Sequence, residues 1–410
     1  MRQQITSVGP HPALIEVAAG RGLPAVTDPL PLVRSALAHG MGGLLLTELE
    51  QTDQRWQQRR ILAALTARQA KVQAWHERLW RALTRIAGFF DELAVEVAIA
   101  KGVAAEARWY SRTGERPCND IDLLLSPAQV ARIDDVVAAI EPSHPLCGKT
   151  RRLAERGLLQ SIDLEYEGVP IDLHWDILKL GIPSRNIDAI WDRTVPFALR
   201  DGRSIRALDA TSSYVQFLIH LNKDRFRRLL GFVDVARVYA SDQVDHSAVD
   251  RLIGADGIET SVSASWDVVI RTLDLPLRNQ IKSQPVKSLI WHLAWRPSVR
   301  LRAAESTVRF RHRQWLIAAL SRGRAVEAAR SWLRGLFPPD ELLAYVHSDY
   351  ATRWGGEPVS TARRSRIWSL TFGRLMAALG RRRRLVRVTG PGGSRRPGAG
   401  DGRPRRSGGD

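Results

Sequence analysis

The chain of 410 residues contains only two cysteines, Cys118 and Cys147, too few for a disulfide framework. No cysteine or histidine cluster has the spacing of a zinc site. Long apolar runs are missing too. A membrane helix needs ~18 uncharged apolar residues, and the best candidate, Ile86 to Ala100, is interrupted by Asp91, Glu92 and Glu96. The first thirty residues lack the basic start, apolar core and small-residue cleavage site of an export signal. The expected setting is therefore a reducing cytoplasm, with no membrane span. No internal repeat of fixed period is present. A P-loop is absent as well: Ser143 to Thr150 ends in Gly148-Lys149-Thr150, but Ser143 stands where the first glycine belongs, and the stretch follows a helical pattern and contains Pro145.

What is present describes a folded protein with an uneven charge. Hydrophobic residues make up 44% and mean hydropathy is -0.21, as expected for a globular chain with length for about two or three domains. Net charge is +18. From Arg381 to Asp410 ten arginines face two aspartates, a local +8, in a segment rich in Gly, Pro and Ser. Such a segment has too little apolar surface to fold and is expected to be disordered. It reads either as a nonspecific nucleic-acid contact or as a solubilising extension.

Hydrophobic periodicity divides the remainder. From about residue 28 to 93 apolar positions recur at helical spacing (Leu62, Leu65, Val72, Trp75, Leu79, Leu83), with Thr52-Asp53 available as a cap. Residues 94–182 alternate as an α/β core. Beyond Pro183 the chain is expected to turn helical again, with an amphipathic stretch from Ala210 to Ala240 and long basic helices from Val286 to Arg334. The expected organisation is thus a helical region 1–93, an α/β core 94–182, a helical domain 183–356 and a basic tail 357–410. Most of the thirteen tryptophans are flanked by aliphatic or basic residues in helical patterns, and they read as core anchors.

The core carries the chemistry. Val95 to Ala100 alternates as a strand, Lys101-Gly102 breaks it, and Val103 to Tyr110 reads as a short helix. A glycine before a helix start lets an anion approach backbone N–H groups, and Lys101 adds charge there. Next comes Asp120-Ile121-Asp122-Leu123-Leu124. In a strand alternate side chains share a face, so Asp120 and Asp122 point one way while Ile121, Leu123 and Leu125 enter the core. About fifty residues on, Val169 to Asp176 repeats the device, with Asp172 and His174 on one face and Val169, Ile171, Leu173 and Trp175 on the other. If the two strands are neighbours, three carboxylates converge. Like charges so close repel unless a cation joins them, and Mg²⁺ or Mn²⁺ also holds phosphates. Asp163, Glu165 and Asp176 lie nearby; Asp172 is preferred as the third carboxylate, with Glu165 the alternative.

This order of parts resembles the polymerase-β-like nucleotidyltransferase superfamily. Within it the chain is similar to a bacterial group of uncharacterised nucleotidyltransferases, through Lys101-Gly102, Arg116-Pro117, Asp120-Ile121-Asp122-Leu123-Leu124 and Leu173-His174-Trp175. The similarity extends to Ala36-Leu37-Ala38-His39-Gly40, Ile190-Trp191, His220, Asp234 and Leu336-Phe337-Pro338-Pro339. It implies an α+β fold: a small nucleotidyltransferase core flanked by helical regions and followed by the basic tail. The superfamily has Gly-Ser at the phosphate turn, whereas this chain has Lys101-Gly102-Val103 and no hydroxyl.

The resulting expectation is transfer of NMP from an NTP to an acceptor hydroxyl, with release of pyrophosphate. Asp120, Asp122 and Asp172 are the candidate catalytic and metal-holding residues. Lys101, Gly102, Arg116 and His174 are the candidate phosphate contacts, with His174 alternatively orienting a carboxylate. His220, Lys223 and Arg227 form a basic helical stripe that reads as solvated or as reaching the nucleotide. The acceptor, whether small molecule, RNA or protein, is not legible. The rival expectation is a nucleotide- or nucleic-acid-binding protein with weak or no catalysis. Phosphatases with Asp-x-Asp place an apolar strand before the pair, unlike Arg116-Pro117-Cys118-Asn119 here. Nucleotide-sugar glycosyltransferases need an α/β half before the motif, where residues 1–93 read as helical.

Overall fold

The computed structural model describes residues 9–51, 59–157, 159–177, 184–224 and 226–275. These belong to one compact unit, Met1–Leu342; a second unit, Leu343–Asp410, lies outside the described residues. So do the expected cap Thr52-Asp53, the basic helices from Val286, the Pro338-Pro339 turn and the arginine-rich tail.

The described chain is α+β. Helices α1 (Pro12–Ala18), α2 (Pro29–Ala38), α3 (Gly42–Gln51) and α4 (Arg59–Glu92) precede strand β1 (Val97–Ala100) and helix α5 (Lys101–Trp109). Strand β2 (Ile121–Leu125), a 3₁₀ turn (Pro127–Arg132), helices α6 (Ile133–Ile140) and α7 (Thr150–Glu155), and the hairpin β3 (Ser161–Tyr166) and β4 (Val169–His174) follow. After these come α8 (Ile187–Asp192), β5 (Val195–Ala198), β6 (Ser204–Ala207), α9 (Ala210–Lys223), α10 (Leu229–Ala240), α11 (His246–Asp256) and α12 (Glu259–Leu273).

Six strands form one mixed sheet in the order β3-β4-β2-β1-β6-β5. Strands β1 and β2 are central and buried along their whole length. That is why their sequences read as near-continuous apolar runs interrupted only by Asp122. One face of the sheet, including Ala98, Ala100 and Leu124, joins the core of α1–α3 and α9–α12. Helices α4 and α6 pack on β4 and β3. Leu79, Leu83 and Ile86 of α4 are fully buried, and Trp80 stacks on Phe197 of β5 with ring centroids 5.9 Å apart. Each buried aliphatic side chain of this kind contributes about 1.5–3 kcal/mol.

Beyond Pro183 the described chain is largely helical, but two strands intervene. The hairpin β5–β6 extends the sheet, with β6 parallel to β1 through Ala98↔Arg206 and Ile99↔Ala207. Each strand has only four residues and β5 contains Pro196, a combination tolerated because β5 is an edge strand. The amphipathic stretch 210–240 is also two helices. Asp224 caps the C-terminal end of α9 and Arg228 the N-terminal end of α10.

Candidate active site

The register of the sheet brings the acidic residues together. Strands β2 and β4 are parallel, with Asp122 opposite Asp172 and Leu124 opposite His174; β1 runs antiparallel to β2 with Ala100 opposite Asp122. The turn that follows Ala100 therefore lies beside the carboxylates. Strand β3 stands one place further out, pairing Asp163 with Asp172 and Glu165 with Pro170. Asp163 and Glu165 are exposed, so Asp172 and not Glu165 neighbours Asp122.

His174 is 1% exposed and joins the two carboxylates. Its Nε2 is 3.3 Å from Asp122 Oδ1 and 3.2 Å from Asp172 Oδ2. Both neighbours accept, so Nε2 carries the hydrogen and donates. Its Nδ1 is buried and has no hydrogen-bond partner among the described residues. A metal-ligating imidazole normally donates through its second nitrogen. His174 thus bridges the two carboxylates and does not line the adjoining cavity.

Lys101 supplies the compensating charge, with Nζ 2.7 Å from Asp122 Oδ1. Burial alone would lower its proton affinity, but Asp122, with Asp172 and Asp120 beyond it, raises it above the usual value. Asp122 responds in the opposite sense: burial would raise it, yet the Lys101 ammonium and His174 hold it well below the usual carboxylate range. Asp120, just before β2, is pushed from 3.8 up to about 6, by burial first and by the charge of Asp122 second.

Lys101 adopts φ 43°, a left-handed backbone uncommon for a side-chain-bearing residue and concentrated at functional sites. A Cβ added at Gly102 would stand 3.4 Å from the Asp120 carbonyl oxygen and 3.9 Å from Asp122 Oδ2. The Gly102 backbone thus lies directly against the carboxylates.

Arg116 is 11% exposed and is engaged by Asp234 of α10: Nε donates to Oδ1 at 2.8 Å and Nη2 to Oδ2 at 2.9 Å. Although burial would lower it, Asp234 holds the guanidinium firmly in its charged form. Asp234 was legible only as part of the family resemblance; nothing in the local pattern near Arg116 points to a partner 118 positions away.

A second buried cluster, His76, Glu106 and Cys118, also has the composition of a metal set. Its donors are spent internally. His76 Nδ1 meets Glu106 Oε2 at 2.8 Å, and His76 Nε2 accepts from the Cys118 backbone N–H at 3.1 Å. Burial pushes the Cys118 thiol up to about 12. This is a strut from α4 to the segment preceding Asp120.

A cavity of about 300 Å³ opens over the carboxylates. One wall carries Lys101, Gly102, Arg116, Asp120, Asp122 and Asp172; the other carries His220, Lys223, Arg227 and Arg228. The basic stripe therefore reaches the same cavity as the carboxylates. Arg227 lies past the end of α9, in the connection to α10, which corrects its expected place on the helix face. Asp224 sits within this wall and is drawn to about 2: burial would raise it, but the His220 hydrogen bond and the charges of His220, Lys223 and Arg227 outweigh that.

No helix among the described residues is long and apolar enough to cross a membrane. A family model described as an uncharacterised nucleotidyltransferase matches residues 26–272, more than half of the chain and nearly all of its described part. No curated protein and no solved structure matches the chain. The chain belongs to this nucleotidyltransferase family.

Proposed function

With that membership as premise, we propose that the chain transfers NMP from an NTP to an acceptor hydroxyl in a metal-dependent reaction at the Asp120–Asp122–Asp172 cavity. The observation that carries this reading is the register Asp122↔Asp172 beside the Lys101-Gly102 turn, facing a basic wall across one cavity. The donors fit Mg²⁺ or Mn²⁺: they are hard carboxylate oxygens, with Asp122 opposite Asp172 in the sheet and Asp120 beside them in the same cavity. Asp120, Asp122 and Asp172 would hold the ion or ions, whose chemistry is to neutralise the triphosphate and the charge developing on it.

The remaining work belongs to the chain. Lys101 and the open backbone at Gly102 receive phosphate oxygens, and Arg116 adds guanidinium donors. Lys223, Arg227 and Arg228 neutralise the phosphates from the opposite wall. His174 keeps the Asp122 and Asp172 carboxylates facing one another. The acceptor oxygen attacks the α-phosphorus in line, and its proton passes to Asp172. The bond from the α-phosphorus to the oxygen bridging the β-phosphate breaks, and pyrophosphate leaves. Catalysis here is mainly positioning and charge stabilisation.

The test is an acceptor screen with NTPs labelled at the α- or γ-phosphate, covering the protein itself, RNA and small hydroxylated metabolites. Label should move to an acceptor from the α-position and never from the γ-position; γ-transfer would mean a phosphoryl transferase. The Val103 at a position where the superfamily carries a hydroxyl favours a second reading, nucleotide binding without transfer. Mg²⁺-dependent NTP binding with no labelled acceptor in any pool would select it.

A further inference from the structure

Helix α10 grips the segment that leads from α5 into Asp120. Its residues Asp234 and Arg237 lie one turn apart and therefore on one face. Arg237 lies over the Tyr110 ring, 4.2 Å from its centroid, and donates to the Trp109 carbonyl at 2.9 Å. Asp234 is 5% exposed and accepts from the Tyr110 hydroxyl at 2.6 Å as well as from Nε and Nη2 of Arg116.

A two-point fork of this kind sets both the position and the plane of a guanidinium. Arginine has five N–H donors, of which Asp234 takes two. The outer edge, Nη1, donates in long hydrogen bonds to the Gly102 carbonyl at 3.5 Å and to Cys118 Sγ at 3.4 Å. These weakly held donors thus lie against the phosphate turn, on the wall of the cavity that both Arg116 and Asp234 line. Burial of the pair is no argument for stability, because apolar side chains of similar volume often hold such a place equally well. An apolar pair supplies no donors to the cavity.

We propose that Asp234, from outside the sheet, is a positioning residue for the nucleotide's phosphates: it holds Arg116 with its weakly bonded Nη1 donors beside Gly102 at the cavity wall, where a phosphate oxygen can take them over. The inference rests on the nucleotidyltransferase reading. It also assigns Arg116 a fixed orientation before any ligand arrives.

The test uses the full chain and magnesium tripolyphosphate, which carries the phosphate chain without a base, followed by calorimetric titration. Asp234→Asn alone strands a buried arginine charge and endangers folding, so the informative variant is the pair Arg116→Met with Asp234→Leu. It should melt within a few degrees of the parent and bind magnesium tripolyphosphate about tenfold or more weakly. In transfer assays KM for NTP should rise with little change in kcat. Parent-like affinity in a folded double variant would overturn the positioning role. If the double variant unfolds, Arg116→Lys keeps the charge beside Asp234 but loses the fork. The same tenfold weakening is then expected, and parent-like binding overturns the proposal. A parent that itself binds no magnesium tripolyphosphate would overturn the nucleotide reading and this inference together, and is distinguished by that silence.

Discussion

Asp120 on the sheet wall of the cavity and Asp224 on its helical wall have proton affinities displaced in opposite directions. On the sheet wall Asp120 is pushed up to about 6 by burial and by Asp122. On the helical wall Asp224 is drawn down to about 2, because His220, Lys223 and Arg227 outweigh its burial. The sheet wall is an acidic surplus held in fixed register by backbone pairing. The helical wall is a basic surplus in which Asp224 is held by its cationic neighbours. Rigid placement of unneutralised charge suits the reacting centre; a tolerant cationic wall suits general attraction of a polyanion. Mutational effects should therefore be steep on the first wall and graded on the second.

The largest expected effect separates neighbouring strands of the sheet wall. Asp172→Asn should lower the transfer rate by several orders of magnitude while leaving NTP affinity nearly intact, because the carboxylate's task lies in the transition state. Glu165→Gln, one strand further out and exposed, should leave the rate near that of the parent. Steady-state kinetics on both variants reads this directly. A damaging Glu165→Gln beside a mild Asp172→Asn would break the contrast, since it would place the reacting carboxylate on β3.

An intermediate effect is expected on the basic wall. Removing Lys223 or Arg228 singly should raise KM for NTP about tenfold, the scale of one charge-assisted hydrogen bond, with kcat little changed. The penalty should shrink at high salt, because these side chains are exposed. A collapse of kcat instead would show that the helical wall takes part in the reaction itself.

Smaller still is the pH response of the protein in chelator. Asp120 binds its proton more tightly folded than unfolded, so between about pH 4 and 6 the folded state holds more protons. Stability from this group falls as pH rises through that window and is regained on acidification. Asp224 has the opposite sign: its contribution is present above the usual carboxylate value and is lost as pH falls towards about 2. Melting temperature against pH should flatten between pH 4 and 6 in Asp120→Asn, and an unchanged profile would remove Asp120 from the buried, repelling cluster. The arginine-rich segment from Arg381 should matter least: truncation at Gly380 is expected to leave the transfer rate to a small acceptor unchanged, while any weak, salt-sensitive retention of RNA disappears.

How much of this was legible depended on distance along the chain. Asp120, Asp122, Asp172 and His174 could be placed because two-residue periodicity decides which side chains share a face, and because Glu167 and Gly168 close the β3–β4 hairpin in two residues with φ 50° and 75°. The stripe His220, Lys223 and Arg227 was visible through helical spacing, although the end of α9 at Lys223 was not. Relations that join separate elements were out of reach. The fork between Arg116 and Asp234, and the strut of His76, Glu106 and Cys118, link loop to helix and helix to helix with no shared period. The β5–β6 hairpin escaped because strands of four residues carry too little alternation to register, and their place in the sheet comes from pairing with β1.

The claim underlying the whole account is that the carboxylates of the sheet wall form the metal–triphosphate site. It is tested most directly by the thermal stabilisation that NTP gives in the presence of Mg²⁺, compared between the parent and Asp120→Asn with Asp122→Asn. Ligand at 100-fold its dissociation constant should stabilise the parent by roughly 2.7 kcal/mol. The folded double variant should show no Mg²⁺-dependent shift, whereas a shift equal to the parent's would place the nucleotide elsewhere and contradict the account.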